Sequence, residues 1–346
     1  MEERHLMLST KKRHLILFLL GIFLLAAIVI SGYLGKYPIQ FEEYMSTILS
    51  RVFPAHFEAT PEVSTILFKI RWPRIILAVL IGAGLSMSGA TYQALFQNPM
   101  LSQDILGASQ GAAFGAALGL FFNQSYEVVV LFSFVLGLGA VLLVLGLNRL
   151  IKSQSKLNMI LIGMMVGSLF SSAVSFLKLI GDPTNTLPAI TYWLMGSLSS
   201  VKMQDVYFAA PLILLGMLPI YFLRWQLNVM SLGEVEALSL GINVKVVRLI
   251  LIASATLITA TAVSISGLIG WVGLVIPHFA RLLLGANYRY TIPATAFCGG
   301  VFLLIVDDFA RLLTTSEIPI GILTAFIGAP VFIFLVAKNS RQLGRD

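Results

Sequence analysis

The chain has 346 residues, of which 58% are hydrophobic and only 11% charged, against roughly a quarter charged in an ordinary soluble domain. Its mean hydropathy is +0.90 and its formal charge is +7. A membrane-crossing helix needs about 20 apolar residues, so this composition allows at most about ten crossings. It excludes a soluble enzyme, a nucleic-acid-binding domain and a disordered chain as the main description.

In chain order, Lys11, Lys12 and Arg13 precede an apolar run from Leu15 to Ile30. That run is long for a signal peptide and shows no clear small-residue cleavage site before Tyr33. It reads as a retained first span. Ten spans are expected, at about 15–34, 72–96, 104–121, 127–148, 158–179, 206–223, 246–265, 271–285, 292–312 and 320–337. The third and eighth are short, as spans bounding an internal cavity often are. The fold class is therefore all-α, a polytopic membrane protein. Residues 1–346 are expected to form one transmembrane domain, with an outer polar segment at about 36–70.

Orientation follows from Lys and Arg, which gather on the cytoplasmic side. With the N-terminus inside, that side carries Arg4, Lys11, Lys12, Arg13, Arg149, Lys152, Lys156, Arg224, Lys245, Arg248, Arg281, Arg289, Lys338, Arg341 and Arg345. The outer side carries Lys36, Arg51, Lys69, Arg71, Arg74, Lys178, Lys202 and Arg311. Both termini are expected to be cytoplasmic.

Gly111, Gly115 and Gly119 form consecutive GxxxG steps, and Gly163 and Gly167 another, a spacing that lets helix backbones approach in lipid. Arg71 and Arg74 flank Trp72-Pro73 at the start of the second span, with Pro73 suited to a first helical turn. They serve as interfacial anchors or as a docking surface for acidic groups. In the ninth span, Asp308 and Arg311 are three apart and can meet on one helix face. The loop Asn98, Pro99, Met100 and Leu101, almost free of charge, suits either a gate or a plain tight turn. Between the sixth and seventh spans, Ser231 and Glu234 have capping-box spacing and Gly241 is a helix stop. They bracket a helix of about nine residues, read as a partner surface or as a connector. Hydroxyl residues from Ser254 to Ser266 and the Gly/Met/Ser-rich fifth span are candidates for lining a path. Cys298, the single cysteine, reads as a small apolar residue. No nucleotide-binding loop, HExxH, Cys/His cluster or GxSxG elbow occurs.

Several long motifs in fixed order carry a resemblance. They are RWPRIILAVLIGAGLSMSGATYQALFQNPML, DILGASQGAAFG, SLGEVEALSLG, GLIGWVGLVIPHFARLLLG, VDDFARLL and EIPIGILTAFIGAPVFIFLV. Over about residues 65–340 the chain resembles the FecCD family of ABC transporter permeases, the membrane subunits of iron–siderophore, haem and cobalamin importers. The resemblance implies an ABC type II importer permease fold of ten helices, working as a homodimer in a bacterial or archaeal cytoplasmic membrane, with no nucleic-acid partner. It implies no cofactor in this chain, since ATP and Mg are bound by two separate ATP-binding subunits on the cytoplasmic side. A substrate-binding protein docks outside.

By the same resemblance Ser231, Gly233, Glu234, Ala237, Leu240 and Gly241 belong to a coupling helix (about 231–241). Asn98, Pro99, Met100 and Leu101 form the inner gate, and Arg71, Arg74 and Arg311 meet the binding protein. The segment Ser155–Asn158 aligns with a second gate region of the family, where Lys156 and Leu157 do not keep the small hydroxyl residues of the cobalamin importer. The implied activity is import of a metal chelate by alternating access, with no chemistry on the cargo. Ferric siderophore is favoured over haem, cobalamin or an oxyanion such as molybdate or tungstate. An ion-coupled secondary transporter is the rival of another class. It would place acids near midspan, whereas Asp307 and Asp308 lie near a span's end.

Overall fold

The computed structural model describes residues 9–51, 53, 54, 56, 59–151 and 155–343, with side chains through Ile333. Arg4, Lys152 and Arg345, and the side chains of Lys338 and Arg341, lie outside the described residues. Fifteen α-helices and no strand occur among the described residues. They are α1 (Thr10–Tyr33), α2 (Phe41–Leu49), α3 (Pro61–Thr65), α4 (Trp72–Leu95), α5 (Ala108–Phe121), α6 (Tyr126–Leu150), α7 (Lys156–Ile180) and α8 (Thr186–Leu194). Then come α9 (Met203–Phe222), α10 (Arg224–Leu232), α11 (Glu234–Ser239), α12 (Val244–Ser266), α13 (Val272–Leu284), α14 (Tyr288–Leu312) and α15 (Ile320–Leu343).

Each of the ten expected spans overlays one helix. Among the described residues seven are long and apolar enough to cross a membrane, with α3 and α4 forming one continuous helix. Of the others, α5 and α13 are shorter, with 14 and 13 residues, and α15 has 24. The expected third span is cut back because Gly107 turns left-handed (φ 79°) and α5 starts only after it.

Side-chain size sorts the helices. In α4, small residues such as Gly82, Ala83, Ser86, Gly89 and Ala90 are all buried. A helix without bulk can be surrounded by others, and α4 packs against α9, α12, α13 and α14. A Cβ on Gly82 would strike Gly299 O of α14, and one on Gly89 would strike Gly273 O of α13. The α5 stripe works the same way, with Gly111, Gly115 and Gly119 set against Leu136, Phe132 and Val129 of α6. By contrast α1 rests mainly on α14 and exposes Phe18, Phe23 and Leu25, as expected of a helix facing lipid.

Pro73 lies in the first turn of α4, as expected, but helical winding precedes it. The helix begins at Pro61, and Ile66–Arg71 winds as a π-turn, with the Trp72 N–H bonded to Leu67 O. Proline lacks a donor and crowds the carbonyl four residues back, so the wider turn accommodates it without ending the helix. Where α12 stops, irregular backbone is satisfied within the protein. Ser197 N–H bonds Ser266 O at 2.8 Å, and Ile320 N–H bonds Gly196 O at 2.8 Å.

Candidate functional site

At one end of the bundle, α4 closes where Gln97 turns left-handed (φ 52°). The Gln97 and Asn98 N–H groups bond Ala94 O at 3.2 Å and Gln93 O at 3.1 Å, a closure usually built on glycine. Pro99 follows, and Asn98 Oδ1 accepts the Met100 N–H at 2.9 Å. Asn98, Pro99, Met100 and Leu101 therefore form a stiff turn, with Leu101 buried and Met100 half exposed. Beneath it the buried Gln93 side chain donates to Leu101 O at 3.0 Å and Gly273 O at 3.3 Å. Its Oε1 accepts Arg281 Nη1 at 2.7 Å. Sequence reasoning missed Gln93. The signal was an amide inside an apolar span, which must find partners there.

The short helix beside this turn differs from expectation. α10 ends at Gly233 (φ 157°, ψ 165°), a backbone region almost reserved for glycine. α11 consequently holds six residues rather than about nine. The expected capping box is absent, because Ser231 lies in the last turn of α10 and its Oγ donates to Asn228 O at 2.7 Å. Glu234 instead pairs with Arg248 and lies 3.7 Å from Lys156 Nζ.

Gly241 does stop the helix. At φ 75° its N–H bonds Leu238 O at 3.0 Å and the Ile242 N–H bonds Ala237 O at 3.0 Å, a Schellman closure. Ala237 is fully buried and anchors α11 from below, while Val235, Leu238 and Leu240 project outward. Val235 and Leu238 were not singled out from sequence, although apolar residues on a short polar segment were the available signal. Lys156 Nζ donates to Gln97 Oε1 at 2.8 Å, and Gln97 Nε2 donates to Ser231 O at 3.2 Å. Gln97, at the start of the Asn98–Leu101 turn, is thus in direct polar contact with the α10–α11 corner.

At the opposite end the three arginines expected to offer charge to a partner are committed within the chain. Arg71 donates to Gly32 O and Tyr33 O, each at 2.8 Å, and to Tyr37 O at 2.6 Å. Arg74 bridges Asp307 and Glu317, each at 2.8 Å. Arg311 pairs with Asp308, as their three-residue spacing predicted, and donates to Ser31 O at 2.8 Å. Arg71, Arg74 and Arg311 are 4%, 8% and 6% exposed. Their charges are met inside the chain rather than left open at the surface. Nearby acids and helix-end carbonyls absorb their charge, and they brace α1, α4 and α14 to one another.

Between the two ends, α5 and α7 border an open cavity of about 650 Å³. Its lining is Ser102, Asp104, Ile105 and Gln110 from the α4–α5 segment and α5, and Gly163, Met164, Gly167, Ser168, Ser171 and Ser172 from α7. The fifth expected span thus lines a space. The hydroxyl stretch of α12 does not. Its side chains are buried and turned back on their own helix, as in Thr256 to Ile252 O (2.7 Å) and Thr259 to Ala255 O (2.9 Å). Among the described residues Asp104 is the only charged one on the cavity wall, and it is held by Ser109 Oγ and Gln103 Nε2. Among the described residues no three His, Cys, Asp or Glu side chains gather as metal ligands.

The model of the FecCD transport family matches residues 23–338. The molybdate import system permease protein MolB of Haemophilus influenzae is 38% identical over 327 residues, covering 94% of this chain and 96% of that protein. A protein of Helicobacter pylori designated an iron chelatin transport system permease is 38% identical over 284 residues, covering 82% of this chain and 86% of the relative. Among solved structures, an inward-facing ABC transporter assigned to the metal-chelate type superposes with a TM-score of 0.83 at 38% identity, covering 93% of this chain and 99% of that one.

Proposed function

The chain belongs to the FecCD transport family and is a multi-pass permease subunit of an ABC importer, and from that premise we propose that it passes a metal chelate, most simply a ferric siderophore, through the α5–α7 cavity. The family implies partnership with an ATP-binding subunit and a substrate-binding protein. The observation that carries the cargo reading is the cavity itself. Its 650 Å³ lies in the range of drug-sized ligand pockets, roughly 300–1,000 Å³, far larger than a tetrahedral oxyanion needs. Its wall offers hydroxyl, amide and thioether groups, one carboxylate and no cation. A divalent oxyanion there meets the Asp104 carboxylate and no cation to offset its charge, whereas a bulky chelate meets weak, dispersed contacts that let it leave.

In this reading a second copy of the chain covers the open side of the cavity, and all of residues 1–346 serve as one transmembrane domain. The α11 end is cytoplasmic, as are both termini. Val235, Leu238 and Leu240 insert into the ATP-binding subunit, with Gly233 and Gly241 setting the shape of the corner and Ser231, Glu234 and Ala237 holding it. The Asn98–Leu101 turn is the inner gate. The binding protein docks over the arginine-braced end. ATP-driven motion shifts the balance between inward and outward states only because the partners bind those states unequally.

The test is uptake into proteoliposomes holding the permease, the ATP-binding subunit and the binding protein. ATP-dependent accumulation of a ferric hydroxamate but not of molybdate is the expected result. Accumulation of molybdate with no ferric chelate uptake contradicts the cargo reading.

A further inference from the structure

We propose that Lys156 is a positioning residue that carries movement of α11 to the gate turn, through the polar chain Glu234–Lys156–Gln97. The proposal rests on the coupling and gate roles given above. Lys156 opens α7, where a cation opposes the positive end of the helix dipole. What holds it is therefore its partners. Its Nζ donates to Gln97 Oε1 at 2.8 Å and lies 3.7 Å from Glu234 Oε1. Glu234 is the first residue of α11 and is also fixed by Arg248.

Gln97 closes the ring, since its Nε2 donates to Met230 O at 3.4 Å and Ser231 O at 3.2 Å in the last turn of α10. One ammonium group thus joins the starts of α7 and α11 to the end of α4. Gln97 immediately precedes the Pro99-stiffened turn, so a shift at Gln97 is not absorbed before Met100. Lys156 also begins the helix that carries Gly163 and Ser168 into the cavity wall. A stroke on α11 therefore reaches the gate turn and the cavity wall through the same side chain. An isolated surface pair would bring little. Here the side chain is 22% exposed and spans three elements that would otherwise move separately.

The experiment uses the complete importer in proteoliposomes, with Cys298→Ala and Met100→Cys in the permease. The rate of modification of the introduced thiol by a charged methanethiosulfonate is read without nucleotide and after trapping with ATP and vanadate. This readout needs no knowledge of the cargo. The expected result is a change of about tenfold between the two states in that background, falling to less than about twofold with Lys156→Met and returning with Lys156→Arg, while the partner subunits go on hydrolysing ATP. Gln97→Leu reproduces the Lys156→Met result. A full nucleotide-driven change in Lys156→Met overturns the proposal. Failure of the coupling reading shows up separately, as a full change in a Val235→Asp, Leu238→Asp permease.

Discussion

Arg74 illustrates what burial does to a charge. With Asp307 fully buried beside it, truncation to alanine leaves a carboxylate in the bundle without a partner. Loss of one member of a buried pair costs roughly 3–5 kcal/mol, whereas replacing both by apolar residues is often neutral. Arg74→Ala is expected to lower the thermal midpoint of the purified protein in detergent strongly, and Arg74→Leu with Asp307→Leu to restore most of it. Equal damage in the single and double variants would contradict the brace. Charge reversal at Arg71 and Arg74 likewise appears first as loss of folded protein, before any loss of docking. Gly241→Ala tests a different constraint. A Cβ at φ 75° meets no neighbouring atom, so its cost is that of left-handed backbone alone, about 1–2 kcal/mol. The expected result is a small drop in stability with a larger drop in ATP-coupled uptake, because the corner presenting Leu240 is reshaped. Unchanged uptake would remove Gly241 from the coupling surface.

Helix pairs pose the next questions. The α5–α6 contact depends on a face without side chains, and a Cβ at Gly115 would strike Phe132 O. Gly115→Leu is expected to force the two backbones apart and to lower the yield of folded protein, with Gly139→Leu, where nothing lies within 4 Å, as the tolerated control. Equal tolerance at both positions would refute the packing account. That stripe was readable from spacing alone, because a period of four places small residues on one helix face. The length of α11 was not. Ser231 and Glu234 have the right spacing for a capping box, but the glycine between them breaks the helix and sends each to another partner. Pro73 does sit in the first turn of α4, but the π-turn that joins it to α3 leaves no trace in hydropathy. Hydroxyl content misled in α12, where Thr and Ser bond their own helix's carbonyls, whereas in α7 the serines face open space. Composition does not record which way a side chain points.

For the molecule as a whole, the apolar periodicity located ten principal helices, and the ordered motifs located the family. Hydropathy did not reveal that α5 and α13 are shorter than full crossings, because irregular backbone buried in the protein reads as apolar sequence. Nor did it reveal that Arg74 faces inward, since its acids Asp307 and Glu317 lie 233 and 243 residues away in the chain. The central claim is that this polypeptide moves cargo only when driven from the α11 end by an ATP-binding partner. The most direct measurement compares proteoliposomes holding the permease alone with those holding the complete importer, each supplied with ferric hydroxamate and with or without ATP. Accumulation is expected only in the complete importer with ATP. Accumulation by the permease alone, with no nucleotide present, would contradict the account.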